Sequence, residues 1–395
     1  MLGRLQQFVR EWRAWRAFSA LPASQRRLVF YSEGSAYRVH FEAILRHLRE
    51  DHRQPVTYLT SDPADPLLSE PPAGVTTYCI GDGAVRTLLF ASLDVDVMVM
   101  TMPDLHTYHI KRSPHGVHYV YVHHSMVSCH MVYRPAAFDH FDAVFCVGPH
   151  HEREIRAREA AAGLPAKRLV PHGYARLEAL MEELDRAASP SPRTENPKPL
   201  VLIAPSWGEN ALLERLGCSF VGAMLDAGYR VTLRPHPQTR RFCPEALEIA
   251  KRQYVSHPDF VLEENVASKA SLLAADVMIS DWSGAALEFA FAREKPVIFV
   301  DVPRKVNNPD WQSLGITPLE DWIRSEIGVV VQEQALDTIP AGVAALLAAA
   351  DRYRSRIREL RQQVVYNPGR SGAVGAAELV ALVNGRSDRN GNGRD

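Results

Sequence analysis

The sequence predicts an α/β protein made of two Rossmann-like domains, each a largely parallel sheet with helices on both faces. Three observations carry this expectation. Short runs rich in Val, Ile, Leu and Phe alternate with helical patterns along most of the chain. At 395 residues the chain is long for a single core. The stretch Ala187-Ala-Ser-Pro-Ser-Pro-Arg-Thr-Glu-Asn-Pro-Lys-Pro199 then interrupts the alternation with four prolines and little to bury, as a linker would.

Taken in order, residues 1–26 read as an amphipathic basic helix. Leu2, Leu5, Phe8, Val9, Trp12 and Trp15 recur at helical spacing, and Arg4, Arg10, Arg13, Arg16 and Arg26 face only Glu11. Tryptophan with arginine suits an anionic headgroup layer, and the plainer alternative is a helix packed on the protein itself. Residues 27–186 form the first domain. Its strands are expected at 27–34, 56–60, 76–80, 95–101, 117–123, 143–147 and 169–172, with helices at 36–50 and 149–162 among them. After the linker at 187–199, residues 200–384 form the second domain, with strands near 200–205, 230–234, 277–280, 296–300 and 329–331. Helices are expected over 335–361 and from Ala373, the last of them a candidate to cross back to the first domain. Residues 385–395 are polar and glycine-rich, and a disordered tail is expected.

Bulk properties exclude several classes. A net charge of −1 does not suit a dedicated nucleic-acid binder. Hydrophobic content of 46% and charged content of 23% are those of an ordinary globular protein. Five scattered cysteines, with no CxxC pair, suit a reducing cytoplasm. No signal peptide and no membrane-spanning run is evident, so the expected location is cytoplasmic, soluble or peripheral. The absence of GxGxxG, a Walker loop, HExxH and GxSxG weighs against dinucleotide redox chemistry, simple NTP hydrolysis and the common hydrolases. No metal-ligand spacing appears, and no metal or cofactor is expected.

The chemistry-bearing residues sit at strand ends. Ser280-Asp281-Trp282-Ser283-Gly284 follows a buried strand and opens a helix, where N–H groups and the helix dipole favour an anion such as phosphate. Arg234-Pro-His-Pro237 also follows a strand. The prolines stiffen it, Arg234 offers a fork for phosphate oxygens and His236 a further hydrogen bond. The alternative is an arginine capping a helix in a rigid loop. Ser206, in Ala204-Pro-Ser-Trp-Gly208, is a candidate second donor to the ligand, and Arg370, in Asn367-Pro-Gly-Arg-Ser-Gly372, a weaker one. Tyr121-Val-His-His-Ser125 closes a strand with two histidines, either of which has the chemistry of a general base. With 16 histidines in the chain, most are structural.

These motifs, in this order, resemble the CDP-glycerol glycerophosphotransferase family, which includes the primases and polymerases of teichoic acid synthesis. Val122-His123-His124-Ser125 is similar to the family's Trp-His-Gly-Thr. Phe141-Asp-Ala-Val-Phe-Cys-Val147 resembles its FDYxxVxS strand, and Gly173-Tyr-Ala-Arg-Leu-Glu178 its GYPRND. Ala204-Pro-Ser-Trp-Gly208 is similar to APTWR, and Arg234-Pro-His-Pro237 to RxHP. Ile279 to Phe299 resembles ITDYSSxxFDFxxxxKPxIFY. The likeness runs over about residues 115–375. Departures are His124 for the family's glycine, Gly208 for an arginine, and Glu178 and Glu288 for aspartates; they suggest a divergent branch.

The resemblance implies a GT-B fold, two Rossmann-like domains facing each other across a cleft, with the acceptor on the first and the CDP donor on the second. It implies transfer of glycerol phosphate, or a related polyol phosphate, from a CDP-activated donor to a hydroxyl of a lipid-linked or cell-surface glycan, releasing CMP. His123 takes the position of the family's catalytic histidine, with His124 beside it as the rival base and His236 assisting. Arg234, His236, Ser280, Asp281, Ser283 and Gly284 are then donor contacts, together with Ser206 and Arg370. The work would lie on the cytoplasmic face of the cell membrane. Alternatives are a GT-B glycosyltransferase using a nucleotide sugar, a sugar-nucleotide epimerase, and a non-catalytic nucleotide-binding protein.

Overall fold

The computed structural model of the protein describes residues 2–108, 110–187, 198–265 and 268–391. The chain divides into two compact units. One takes Met1–Ser125, Tyr133–Arg176 and the chain from Val365 onward; the other takes Met126–Val132 and Leu177–Val364.

In the first unit β1 (Leu28–Ser32), β2 (Val56–Thr60), β3 (Val75–Cys79), β4 (Val97–Met100), β5 (His118–Val122), β6 (Ala143–Cys146) and β7 (Arg168–Pro171) form one sheet in the order β3-β2-β1-β4-β5-β6-β7. Every pairing is parallel. Parallel strands are covered on both faces, and β1, β2 and β4 are accordingly buried at every position. The order reverses between β1 and β4, so their carboxyl ends mark the place where open α/β sheets take ligands.

The helix Ser371–Gly391 lies against Glu42–Glu50 within this unit. The approach requires glycine, because a Cβ at Gly372 would stand 2.6 Å from that of Ala43. Gly173, at φ +110°, has the same function: a Cβ there would meet the Tyr366 carbonyl at 2.4 Å. The second compact unit thus ends at Val364, where the sequence drew its domain to 384. The tail expected to be disordered from 385 is helical as far as Gly391, since extending a nucleated, packed helix costs little. Most of the expected linker, residues 188–197, lies outside the described residues, as do residues 392–395.

The N-terminal helix spans Leu2–Ser19 and packs on the first unit through its less apolar side. Glu11 and Phe18 are buried, with Phe18 edge-on to Tyr78 at 6.2 Å. Leu5, Phe8, Val9 and Trp12 are exposed, and so are Arg4, Arg10, Arg13 and Arg16.

The second unit holds β8 (Leu200–Ile203), β9 (Arg230–Leu233), β10 (Phe260–Leu262), β11 (Val277–Ser280), β12 (Val297–Asp301) and β13 (Gly328–Gln332), again all parallel, in the order β10-β9-β8-β11-β12-β13. The reversal falls between β8 and β11. The sequence reading missed β10, a three-residue edge strand followed by two glutamates. The helical stretch expected over 335–361 is a 3-10 turn at Glu333–Thr338 and two helices, Ile339–Ala348 and Ala350–Val364. Among the described residues no helix is long and apolar enough to cross a membrane.

Candidate active site

At the reversal in the second sheet, a buried carboxylate organises the strand ends. Asp281 is completely buried and accepts from the Ser206 N–H (2.7 Å), the Ser206 hydroxyl (2.9 Å) and the Leu212 N–H (3.0 Å). Burial pushes its carboxyl up, against the pull of those three donors. Ser280, also completely buried, donates its hydroxyl to the Ala204 carbonyl at 2.7 Å and ties β11 to the end of β8. Ser206, Ser280 and Asp281, read from the sequence as ligand contacts, therefore bond to one another and to the backbone of neighbouring strand ends. Their partners lie some seventy residues away in sequence, beyond what local pattern reveals.

The other half of the same turn is presented. Ser283, Gly284 and Ala285 are half-buried and begin the helix Gly284–Arg293. The Ser283 oxygen accepts from the Ala285 N–H at 3.3 Å as an N-cap, which leaves its own O–H able to donate. An anion placed here would also meet the positive end of the helix dipole.

Arg234 differs from expectation too. It is 9% exposed and bonds the Glu263 carboxylate (3.0 Å) and the Ser268 carbonyl (2.6 Å), while Ser271 bonds the same carboxylate. The arginine fork that the sequence assigned to phosphate is part of a buried ion pair. His236 is half-buried, its ring near-parallel to Trp207 at 5.7 Å. Its Nδ1 accepts from the Gln238 N–H (3.2 Å), so in the neutral ring the proton is on Nε2. Burial, helped by the Lys305 charge, holds this imidazole down to about 4, and at neutral pH it is an uncharged donor.

Lys305 was not foreseen. It follows β12 in Val302-Pro-Arg-Lys305, and its ammonium lies 4.2 Å from the Trp207 ring centroid. Burial lowers its pKa, with Asp281 and Glu214 opposing. A proline-stiffened basic pair after a strand is the same signal that drew attention to Arg234, and it was available in the sequence. Lys305, His236 and Ser283 are thus half-buried donors about the ends of β8, β9, β11 and β12. Arg370 is exposed and groups with the first unit instead.

In the first unit, the two adjacent histidines have opposite surroundings. His123 is 2% exposed, stacked on His151 at 3.8 Å and packed on Tyr121 and Phe138. Neither ring nitrogen has a hydrogen-bond partner among the described residues, and burial keeps the ring's pKa well below its usual value. His124 is half-buried. Its Nδ1 lies 3.0 Å from the Thr101 carbonyl and 2.9 Å from the Tyr121 hydroxyl. A carbonyl only accepts, so Nδ1 carries the proton and Nε2 the lone pair, with the Tyr133 hydroxyl 3.4 Å from it. Burial pushes this ring down to about 4, so at pH 7 it is neutral with the Nε2 lone pair unprotonated.

The sequence reading also passed over Glu33, which follows β1. Burial, with Asp104 adding to it and Arg86 opposing, raises its carboxyl to about 7. Tyr37 stands edge-on to His124 at 5.6 Å, its phenol raised by its own burial and by Glu33. No group of three His, Cys, Asp or Glu among the described residues is placed to hold a metal ion.

The model of the family described as CDP-Glycerol:Poly(glycerophosphate) glycerophosphotransferase matches residues 14–303. A sequence comparison with curated proteins gave no match. Among solved structures, the wall teichoic acid polymerase TagF is similar, with a TM-score of 0.59 and 13% identity over 98% of this chain and 97% of that one. A TagF histidine-to-asparagine variant soaked with CDPG gives a TM-score of 0.61 and 13% identity over 98% and 97%. The UDP-GlcNAc 2-epimerase from Methanocaldococcus jannaschii gives 0.52 and 13% over 91% and 99%. At such identities these likenesses speak for the GT-B-like fold of two parallel α/β sheets, whereas the family match spans most of the chain. The chain belongs to the CDP-glycerol:poly(glycerophosphate) glycerophosphotransferase family and is an enzyme of the glycerophosphotransferase type.

Proposed function

We propose that the protein transfers glycerol phosphate from CDP-glycerol to a hydroxyl of a lipid-linked or cell-surface glycan, releasing CMP. The observation that carries this reading is the set of donors about Lys305, His236 and Ser283 at the sheet reversal of the second unit, in a chain of this family. The TagF variant soaked with CDPG lends the donor its name. Lys305 and the Nε2–H of His236 hold diphosphate oxygens, and Ser283 with the helix start at Gly284 takes another. Asp281, Ser206, Ser280 and Arg234 are positioning residues.

In the reaction the acceptor oxygen bonds to the donor's β-phosphorus and the bond from that phosphorus to the bridging oxygen breaks. CMP departs with the electron pair, and the acceptor's proton passes to His124 Nε2. The cationic and N–H donors stabilise charge on the departing CMP, so catalysis is mainly positioning and electrostatics.

The exposed stripe Leu5, Phe8, Val9 and Trp12, with its arginines, supports attachment to the anionic cytoplasmic face of the membrane, where a lipid-linked acceptor resides. Burying such side chains is worth roughly 1.5–3 kcal/mol each for the larger ones. Phe8→Ser with Trp12→Ser should release the protein from anionic vesicles in a sedimentation assay while its melting temperature changes little; unchanged sedimentation would refute the attachment.

The transfer itself is tested with labelled CDP-glycerol and acceptor membranes. The expected result is CMP formed in step with label entering the glycolipid fraction. Turnover of a UDP-sugar with no CMP from CDP-glycerol would instead favour the glycosyltransferase or epimerase reading.

A further inference from the structure

The segment just beyond the candidate base His124 belongs to the second unit. The chain leaves the first unit after Ser125, enters the second as Met126–Val132 and rejoins the first at Tyr133. Residues 126–131 of this strap are all buried. His124 stands two residues before it, and Tyr133, whose hydroxyl lies 3.4 Å from His124 Nε2, directly follows it. A hold on the strap is therefore a hold on both ends of the segment that carries the His124–Tyr133 pair.

The second unit grips the strap at each end. The Ser128 N–H donates to the Glu320 carboxylate (3.0 Å), and the Ser128 hydroxyl oxygen accepts from the Leu319 N–H (2.7 Å). The strap's one helical turn, Cys129–Val132, is too short to satisfy its own last carbonyls. Asn307 and Asn308 satisfy them instead. Both backbone N–H groups donate to the Met131 carbonyl, at 3.0 and 3.2 Å. The Asn307 side-chain amide donates to the Val132 carbonyl (2.7 Å) and that of Asn308 to the His130 carbonyl (2.9 Å). His130 in turn donates through Nε2 to the Ile316 carbonyl at 3.2 Å. Asn307 is two residues from Lys305, at most about 7 Å along the chain.

Resting on the donor and base readings above, we infer that Asn307 and Asn308 are positioning residues for the transfer. They clamp the strap to the loop that carries Lys305, so the loop that holds the donor also sets where the His124 lone pair lies. Neither asparagine touches a reacting atom; both act on the base through the strap.

The test is a double-mutant cycle on CMP release from CDP-glycerol with acceptor membranes, measured across donor concentration. Asn307→Leu with Asn308→Leu removes both side-chain donors and adds no charge beside Lys305. The pair should lower kcat by about tenfold or more and leave donor KM within about twofold, since a small misplacement of a catalytic group is costly. In a His124→Ala background the same pair should cost less than about twofold, because a base that is absent cannot be misplaced. Equal losses in the two backgrounds would mark the clamp as merely structural and overturn the inference, and so would an unchanged kcat in the folded variant. Asn307→Leu alone, at an exposed position, repeats the cycle where the pair does not fold, with the same loss confined to the His124 background. His124→Ala protein releasing CMP at the wild-type rate would overturn the base reading, and the inference with it. A wild type that releases no CMP would overturn the donor reading, again with the inference.

Discussion

The carboxyl ends of the two sheets use opposite chemistry. In the first unit the strand ends hold neutral imidazoles and phenols, kept uncharged by burial, with His124 oriented by the Thr101 carbonyl. In the second, a buried carboxylate and a buried ion pair fix the loops, with Lys305 and His236 half-buried beside Trp207. The first arrangement suits accepting a proton from a neutral hydroxyl, the second holding a charged diphosphate. The contrast also separates half-buried donors from residues that hold the loops in place.

The largest effect should come from the adjacent histidines. His124→Ala is expected to slow CMP release about 10²–10⁴-fold, the usual worth of a general base, with donor affinity unchanged. His123→Phe keeps the aromatic packing and should stay within roughly tenfold of the wild type. Rates measured under donor saturation check both, and a reversed ranking would return the base to His123. Within the second unit, Arg234→Met should lower unfolding free energy by about 3–5 kcal/mol, because it strands the Glu263 charge. Lys305→Met should do the reverse: little change in denaturant midpoint, but a donor KM raised by about tenfold. If the two swapped signatures, the division between loop-holding and ligand-holding cations would fail.

A smaller effect concerns acid. Burial holds His124, His172 and His236 near 4 and His40 well below its usual value, whereas unfolded histidines take up protons near 6.5. The unfolded state thus binds more protons between those values, and the stability these groups contribute above pH 6.5 is lost as pH falls toward 4. Glu33 works the other way, since its folded value of about 7 lies above the unfolded one. The histidines outnumber it, so the melting temperature should drop between pH 7 and pH 5; a rise would contradict the buried-neutral picture.

Much of the fold was legible because parallel strands buried on both faces write themselves as continuous apolar runs. β2 and β11 fall where the sequence put them, and β10 escaped because three residues at a sheet edge carry no period. Strand ends were legible as sites for the same reason. Which side chains face a ligand was not, because that depends on distant partners: Ser206 for Asp281, Glu263 for Arg234, Thr101 for His124. The pair His123-His124 shows the limit most plainly. Motif order favours the first, and the difference in burial between the two is not written in the sequence.

The most direct test of the account is the pH dependence of kcat/KM for CMP release from CDP-glycerol by the wild-type enzyme. A base at His124, titrating near 4, predicts a rate flat from pH 8 to about 5.5, because the ring is neutral throughout. A rate that instead falls by half near pH 7 would point to Glu33 as the base and contradict the assignment to His124.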